Sequence, residues 1–242
     1  MSMPFLSPSW RRIDQEFNPT PRFLLLAIPF MLSGAVFAEE PLEHPFIEQK
    51  DIKSETCLTC HPEKKQGKFV HSALGMGCEN CHQVASENKQ TTITFVATGG
   101  ALCAMCHEAK KGPTLHGPYK AGQCQVCHDP HSSDYQGEIR IEANALCLSC
   151  HGFGQPSVKV NPETKLVTLP GGQTVTFDDY RQAPKLELDP GGISGHLVMG
   201  HPLSGKDQRN KDVTLSCLSC HDPHSSALPS LMPSNLKTDL DL

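Results

Sequence analysis

Apolar residues gather in one block near the start of this chain and thin out after it. Arg11, Arg12 and Arg22 precede the run from Phe23 to Phe37, which ends in small residues at Ala38. That order of basic region, apolar region and small-residue end predicts a secretory signal over residues 1–38, cleaved after Ala38. Pro29, Ser33 and Gly34 interrupt the run, which is short for a membrane span; an uncleaved anchor is the alternative. No later segment has the length and hydropathy to cross a bilayer, so no transmembrane segment is expected once the signal is removed. Beyond the leader only two stretches alternate. Thr91–Ala97 (TTITFVA) is β-branched and predicts a strand, and Lys165–Phe177 (KLVTLPGGQTVTF) holds two short alternating runs around Pro170-Gly171-Gly172, a hairpin signal. Elsewhere glycines and prolines, 19 and 20 in the whole chain, punctuate short links. The expectation is scant regular structure and a core that the polypeptide alone fills poorly.

Charge changes this picture little. The chain has 21 Lys and Arg against 26 Asp and Glu, with no basic patch interleaved with aromatics of the kind a phosphate backbone requires. The reading therefore carries no nucleic-acid partner.

The cysteines change it completely. All 12 lie in six copies of one frame, Cys-x-x-Cys-His. The first three copies are Cys57, Cys60 and His61, then Cys78, Cys81 and His82, then Cys103, Cys106 and His107. The last three are Cys124, Cys127 and His128, then Cys147, Cys150 and His151, then Cys217, Cys220 and His221. This is the c-type haem attachment signature. Two thiols add across the haem vinyl groups and the adjacent histidine takes one axial position on the iron. Zinc-ribbon spacing and a disulfide framework both leave the histidines after each second cysteine unexplained, and a thioredoxin-like CxxC lacks its βαβ context. Six haem c groups are expected, with His61, His82, His107, His128, His151 and His221 as proximal iron ligands. The haem macrocycles would then form most of the core, and folding would depend on them.

The frames come in pairs. The first and second start 21 residues apart, at 57 and 78, and the third and fourth again at 103 and 124. HPEKKQGKFVHSALGMGCENCH and HEAKKGPTLHGPYKAGQCQVCH match as an internal duplication. A third pair ends in SCLSCHDPHSS, echoing QCQVCHDPHSS. The expected domain over residues 39–242 thus holds three paired modules, at about 44–100, 101–140 and 141–226. An insertion at about 152–195 reads as a surface loop with a β-hairpin flap. Seven histidines remain, and bis-histidine ligation would use six. His44, His71, His116, His131, His201 and His224 are the distal candidates, with His196 spare and able to exchange with His201. Which candidate serves which frame stays open, since a distal histidine can come from another module or subunit. Met76, Met105, Met199 and Met232 are the other possible sixth ligands, although Met105 sits inside its own frame and cannot reach that iron.

The paired frames with their intervening histidine, the CHDPHSS at 127–133 and 220–226, and the Gly200-His201-Pro202 resemble the doubled-CxxCH multihaem c-type cytochrome family over about residues 44–226. The resemblance implies a multihaem cytochrome c fold with little regular secondary structure, short helices around stacked haems and a minor β-hairpin. It implies an exported electron carrier, periplasmic or outer-membrane-associated and extracellular. Its partners would be other cytochromes or a membrane or outer-membrane electron-transfer complex, with self-assembly possible. In that family His71, His116, His131, His201 and His224 stand where distal ligands are placed. The departure is the long separation of the fifth and sixth frames, which raises the question whether the last pair is as close as the others. Two rival readings accompany electron transfer. One is a reductase of nitrite, hydroxylamine or sulfur oxyanions with one open haem; the other is a structural subunit of a conductive filament or membrane redox complex.

Overall fold

In a computed structural model the described residues are 44–186, 205–206, 212 and 214–233. The signal expected at 1–38, the candidates His196 and His201, and the end of the insertion after residue 186 lie outside them.

Short helical turns carry the cysteine frames. The odd-numbered frames lie on α-helices: α1 (Ser54–Cys60), α2 (Gly100–Ala104, which holds Cys103) and, after α3 (Gly117–Lys120), α4 (Ala143–His151). The even-numbered ones begin single 3-10 turns at Cys78–Asn80, Cys124–Val126 and Cys217–Ser219. In four frames outside the longer helix the histidine N–H donates to the first cysteine's carbonyl, as from His61 to Cys57 at 2.9 Å and from His128 to Cys124 at 3.0 Å. That closes one turn and brings the imidazole beside the thiols. Glu142 caps α4 by accepting from the Ala145 N–H at 2.9 Å.

Sheet is confined to small pieces. β2 (His82–Glu87) pairs antiparallel with β3 (Gln90–Phe95) around a tight turn in which Asn88 and Lys89 both have positive φ. The strand expected at 91–97 is β3; its partner starts at His82, so this hairpin issues directly from the second frame. Two further pairings are only two residues long. β1 (Phe69–Val70) meets β5 (Ser132–Ser133), and β4 (Thr114–Leu115) meets β9 (Ser225–Ser226). They are copies of one another and tie successive modules together.

The insertion is more than a flap. The hairpin around Gly171 forms β7 (Leu166–Thr168) and β8 (Thr174–Thr176), and β6 (Lys159–Asn161) adds a third strand before α5 (Phe177–Gln182) closes over them. Among the described residues the buried apolar side chains are Val167, Leu169 and Val175, all in this hairpin, with Val126, Cys150, Val158 and Tyr180 packed against them. The sheet buries one face under α5, whereas among the described residues the segments that carry the cysteine frames bury no apolar side chain as fully. Among the described residues no helix is long and apolar enough to cross a membrane.

Candidate haem iron sites

Both thiols of each frame lie on one short turn. Where the third and sixth frames close, the Cys106 N–H donates to the Cys103 carbonyl and the Cys220 N–H to the Cys217 carbonyl, each at 3.2 Å. All 12 cysteines are free thiols. Cys60 and Cys106 are exposed, while Cys81, Cys127, Cys150 and Cys220 are half-buried, as is the first cysteine of every frame.

Five of the frame histidines face a second imidazole. Ring centroids lie 6.3 Å apart for His44 and His61, 5.9 Å for His71 and His107, and 6.1 Å for His82 and His131. For His116 and His151 the separation is 6.0 Å, and for His128 and His224 it is 5.8 Å. A metal–imidazole bond is about 2 Å and the ring centre lies roughly 1 Å further, so two imidazoles across one metal stand about 6 Å apart. The gaps fit an iron ligated from both faces. Among the described residues no group of three or more His, Cys, Asp or Glu is placed to hold a metal ion by itself. The paired rings therefore suit a metal whose other positions are filled by a macrocycle.

In none of the five pairs is the partner the nearest non-frame histidine in sequence. His71, between the first and second frames, faces the third; His116, between the third and fourth, faces the fifth. His131, after the fourth frame, faces the second, and His224, after the sixth, faces the fourth. The two-residue strands cause this crossing. The His71 N–H donates to the His131 carbonyl at 2.8 Å, and in the next copy the His116 N–H donates to the His224 carbonyl at 3.1 Å. Each bridge thus delivers two imidazoles to two different frames.

The close approach depends on glycine four residues before each such histidine. A Cβ at Gly67 would meet the Ser133 Cα at 2.8 Å, and one at Gly112 would meet the Ser226 carbonyl oxygen at 2.9 Å. Gly67→Ala is expected to cost about 1–3 kcal/mol through overpacking and to part His71 from His131. A lower thermal midpoint together with carbon monoxide binding at two irons would show this; an unchanged midpoint would deny the tight contact.

The imidazoles are held by their outer nitrogens. His128 Nδ1 lies 2.7 Å from the Gly137 carbonyl, His151 Nδ1 2.8 Å from that of Pro184, and His221 Nδ1 2.7 Å from that of Ser230. An Nδ1–H donating to a carbonyl leaves the Nε2 lone pair for iron. Around His128 and His221 the backbone is the same: Gly137 and Glu138, like Ser230 and Leu231, have positive φ, and Ser133 and Ser226 donate to the carbonyls of Ile139 and Met232. Burial pushes the imidazoles of His82, His116, His131 and His224 below their ordinary range, with nearby cations or imidazoles adding to it, so the neutral, ligating form prevails. Phe95 packs on His82 and Tyr119 on His224, each with centroids 5.1 Å apart. The two copies differ in the outer nitrogen of the bridging histidine: His116 bonds the Pro223 carbonyl, while His71 Nδ1 is buried without a partner.

Thiols of neighbouring frames touch. Burial, then the adjacent Cys78 thiol, raises the Cys57 thiol, and Cys103 beside Cys124 is likewise pushed up to about 11. Cys147 and Cys217 share a hydrogen bond that raises the first and lowers the second. The last pair, despite the 70 residues from 147 to 217, is therefore in contact as the others are. The Cys217 N–H donates to Asn144 Oδ1 at 2.8 Å and fixes the sixth frame on α4. Cys81 near Cys103, and Cys127 near Cys147 and Cys150, join one pair to the next.

Sequence reasoning named the candidate ligands but missed what positions them: Gly67, Gly112, Ser133, Ser226, Tyr119 and Arg140. The duplicated glycine four residues before His71 and His116, and the repeated Ser-Ser after each DPH, were the signals available.

A family model described as the doubled CXXCH motif matches residues 71–112 and 116–155. Among curated proteins, the multiheme cytochrome MtrA of Shewanella baltica (strain OS185) is 28% identical over 194 residues, covering 73% of this chain and 48% of the relative. The chain spans about half the length of that relative.

Proposed function

We propose that this chain, a doubled-CxxCH multihaem c-type cytochrome, is an electron carrier with six covalently attached haems, five of them with two histidine axial ligands. The observation that carries this reading is the set of five imidazole pairs about 6 Å apart. The axial pairs would be His61 with His44, His82 with His131, His107 with His71, His128 with His224, and His151 with His116. His221 is the sixth proximal ligand, with His201 or His196 as its candidate distal partner. Each haem would be joined through the two cysteines of its frame, from Cys57 and Cys60 at the first to Cys217 and Cys220 at the sixth.

Bound haem supplies a one-electron ferric–ferrous couple at each site. The polypeptide fixes the order of the sites. First cysteines touch within each pair of frames, and Cys81 lies near Cys103 and Cys127 near Cys150 between pairs. This proximity supports an arrangement of the sites in sequence order from the first frame to the sixth. Two imidazoles at each of the five paired sites would fill both faces of the iron, leave no position for a substrate and change little in geometry between oxidation states. That favours electron transfer over the reductase alternative at the five paired sites. Partner redox proteins would meet the acidic surface through transient, electrostatically steered contacts. Partners of this class are other cytochromes or a membrane or outer-membrane complex, consistent with a relative named as a multihaem cytochrome, and the predicted signal would deliver the chain to the periplasm or beyond.

The test is a ferrous spectrum of protein matured in a cytochrome-competent host, with and without carbon monoxide and normalised to haem per chain. Six haems and no carbon monoxide shift are expected. One carbon-monoxide-binding iron would revive the reductase reading, and fewer than six haems would overturn the count.

A further inference from the structure

We propose that Arg140, acting through Asp129, sets the reduction potential of the site built by His82 and His131, and that the site built by His128 and His224 lacks an equivalent clamp. The proposal rests on His131 being an axial ligand there. Asp129 opens an Asp-Pro-His turn in which its Oδ1 accepts the His131 N–H at 3.0 Å and lies 3.4 Å from His131 Nδ1. Its Oδ2 accepts from Arg140 Nη1 at 3.1 Å. The guanidinium is anchored elsewhere too. Arg140 Nε donates to the Gln125 carbonyl at 2.8 Å, its backbone N–H donates to the Cys127 carbonyl at 2.9 Å, and only 14% of the side chain is exposed. Gly171 of the insertion closes over it, so near that a Cβ there would meet Arg140 Cβ at 3.1 Å.

The same seven residues, CHDPHSS, recur at the sixth frame with different surroundings. Asp222 Oδ1 accepts the His224 N–H at 3.1 Å but stands 3.8 Å from His224 Nδ1. Its counter-ion is Lys110, 3.2 Å away with 55% of its side chain exposed. A lysine ammonium in water is a screened, rotating point charge, whereas a shielded guanidinium with two fixed bonds is screened far less.

A carboxylate against the outer N–H of an axial imidazole makes that ligand more basic and favours ferric iron. Arg140 pulls on the same carboxylate and opposes it. The two groups thus shift one site in opposite directions, through a single chain of contacts from the insertion to His131.

Redox potentiometry followed by electron paramagnetic resonance on the fully haem-loaded protein tests this. The site is identified as the low-spin signal that His131→Ala removes, and its midpoint is followed through that signal. Asp129→Asn keeps the acceptor for the His131 N–H and is expected to raise that site's midpoint, lowering its ferric-to-ferrous ratio at fixed potential about tenfold, about 59 mV for one electron. Arg140→Gln should lower the same midpoint, and the double variant should follow Asp129→Asn alone. Asp222→Asn should move a different step. An unmoved midpoint in Asp129→Asn, an upward shift in Arg140→Gln, or one step moved by both aspartate variants would overturn the proposal. If Arg140→Gln loads haem incompletely, Arg140→Lys carries the test, with a smaller downward shift expected and no shift counting against it. A flat result in Asp129→Asn while His131→Ala binds carbon monoxide sinks the tuning and spares the ligation.

Discussion

His131→Ala is expected to open the iron at the second frame and leave the adjacent fourth-frame iron six-coordinate. His131 lies three residues after His128, and a local reading would make it the partner of that frame. Its ring instead faces His82 at 6.1 Å, while His128 faces His224 at 5.8 Å. Carbon monoxide stoichiometry decides between the two. The His131→Ala protein should bind one carbon monoxide per chain, and adding His224→Ala should give two. Adding His82→Ala instead should leave one altered iron, because both substitutions strip the same site. If His131 served the fourth frame, combining His131→Ala with His128→Ala would affect one iron; the geometry expects two. The loss is large in kind, since a six-coordinate low-spin iron with no vacant face becomes one that binds a diatomic ligand.

The crossing explains why so much of the site was legible and so little of its wiring. Frames announce themselves because two thiols and an imidazole must reach one macrocycle, which fixes their spacing. Seven histidines outside six such frames are candidates by arithmetic. His44, His71, His116, His131 and His224, the distal candidates among the described residues, each stand opposite a frame histidine. Which frame each of the last four faces is decided by β1–β5 and β4–β9. Two-residue strands such as Phe69–Val70 are too short to leave a period in the sequence. The register could have been inferred only from the repeat, by noticing that Gly67 with His71 and Gly112 with His116 each need a Ser-Ser partner from the module that follows. The longer strands were legible for the ordinary reason. Thr91–Phe95 and the runs flanking Gly171 are β-branched and alternate, and they form β3, β7 and β8. β2 was not, because His82-Gln-Val-Ala-Ser-Glu begins at a frame histidine and has only one strong strand former. The insertion reads as a flap because two short runs give no hint of a third strand or a covering helix. Its valines are nevertheless the place where the described polypeptide packs on itself.

That concentration of core has a consequence for the protein without its cofactor. Chain made where no haem is attached is expected to lose cooperative structure almost everywhere, the remaining protection being confined to the sheet and helix between Lys159 and Gln182. Val167, Leu169 and Val175 are the buried apolar side chains among the described residues, and all three lie in that sheet. Phe46, Ile93, Phe95, Met105 and Phe153 are each more than two-fifths exposed in the polypeptide, surface that the proposed macrocycles would cover. Hydrogen exchange on haem-free and haem-loaded chain reads the difference directly. Protection across α1, α2 and both two-residue bridges should appear only with haem. Protection there in the haem-free chain would mean that the segments hold one another through contacts of their own, and the haems would then be passengers in a preformed fold instead of its core.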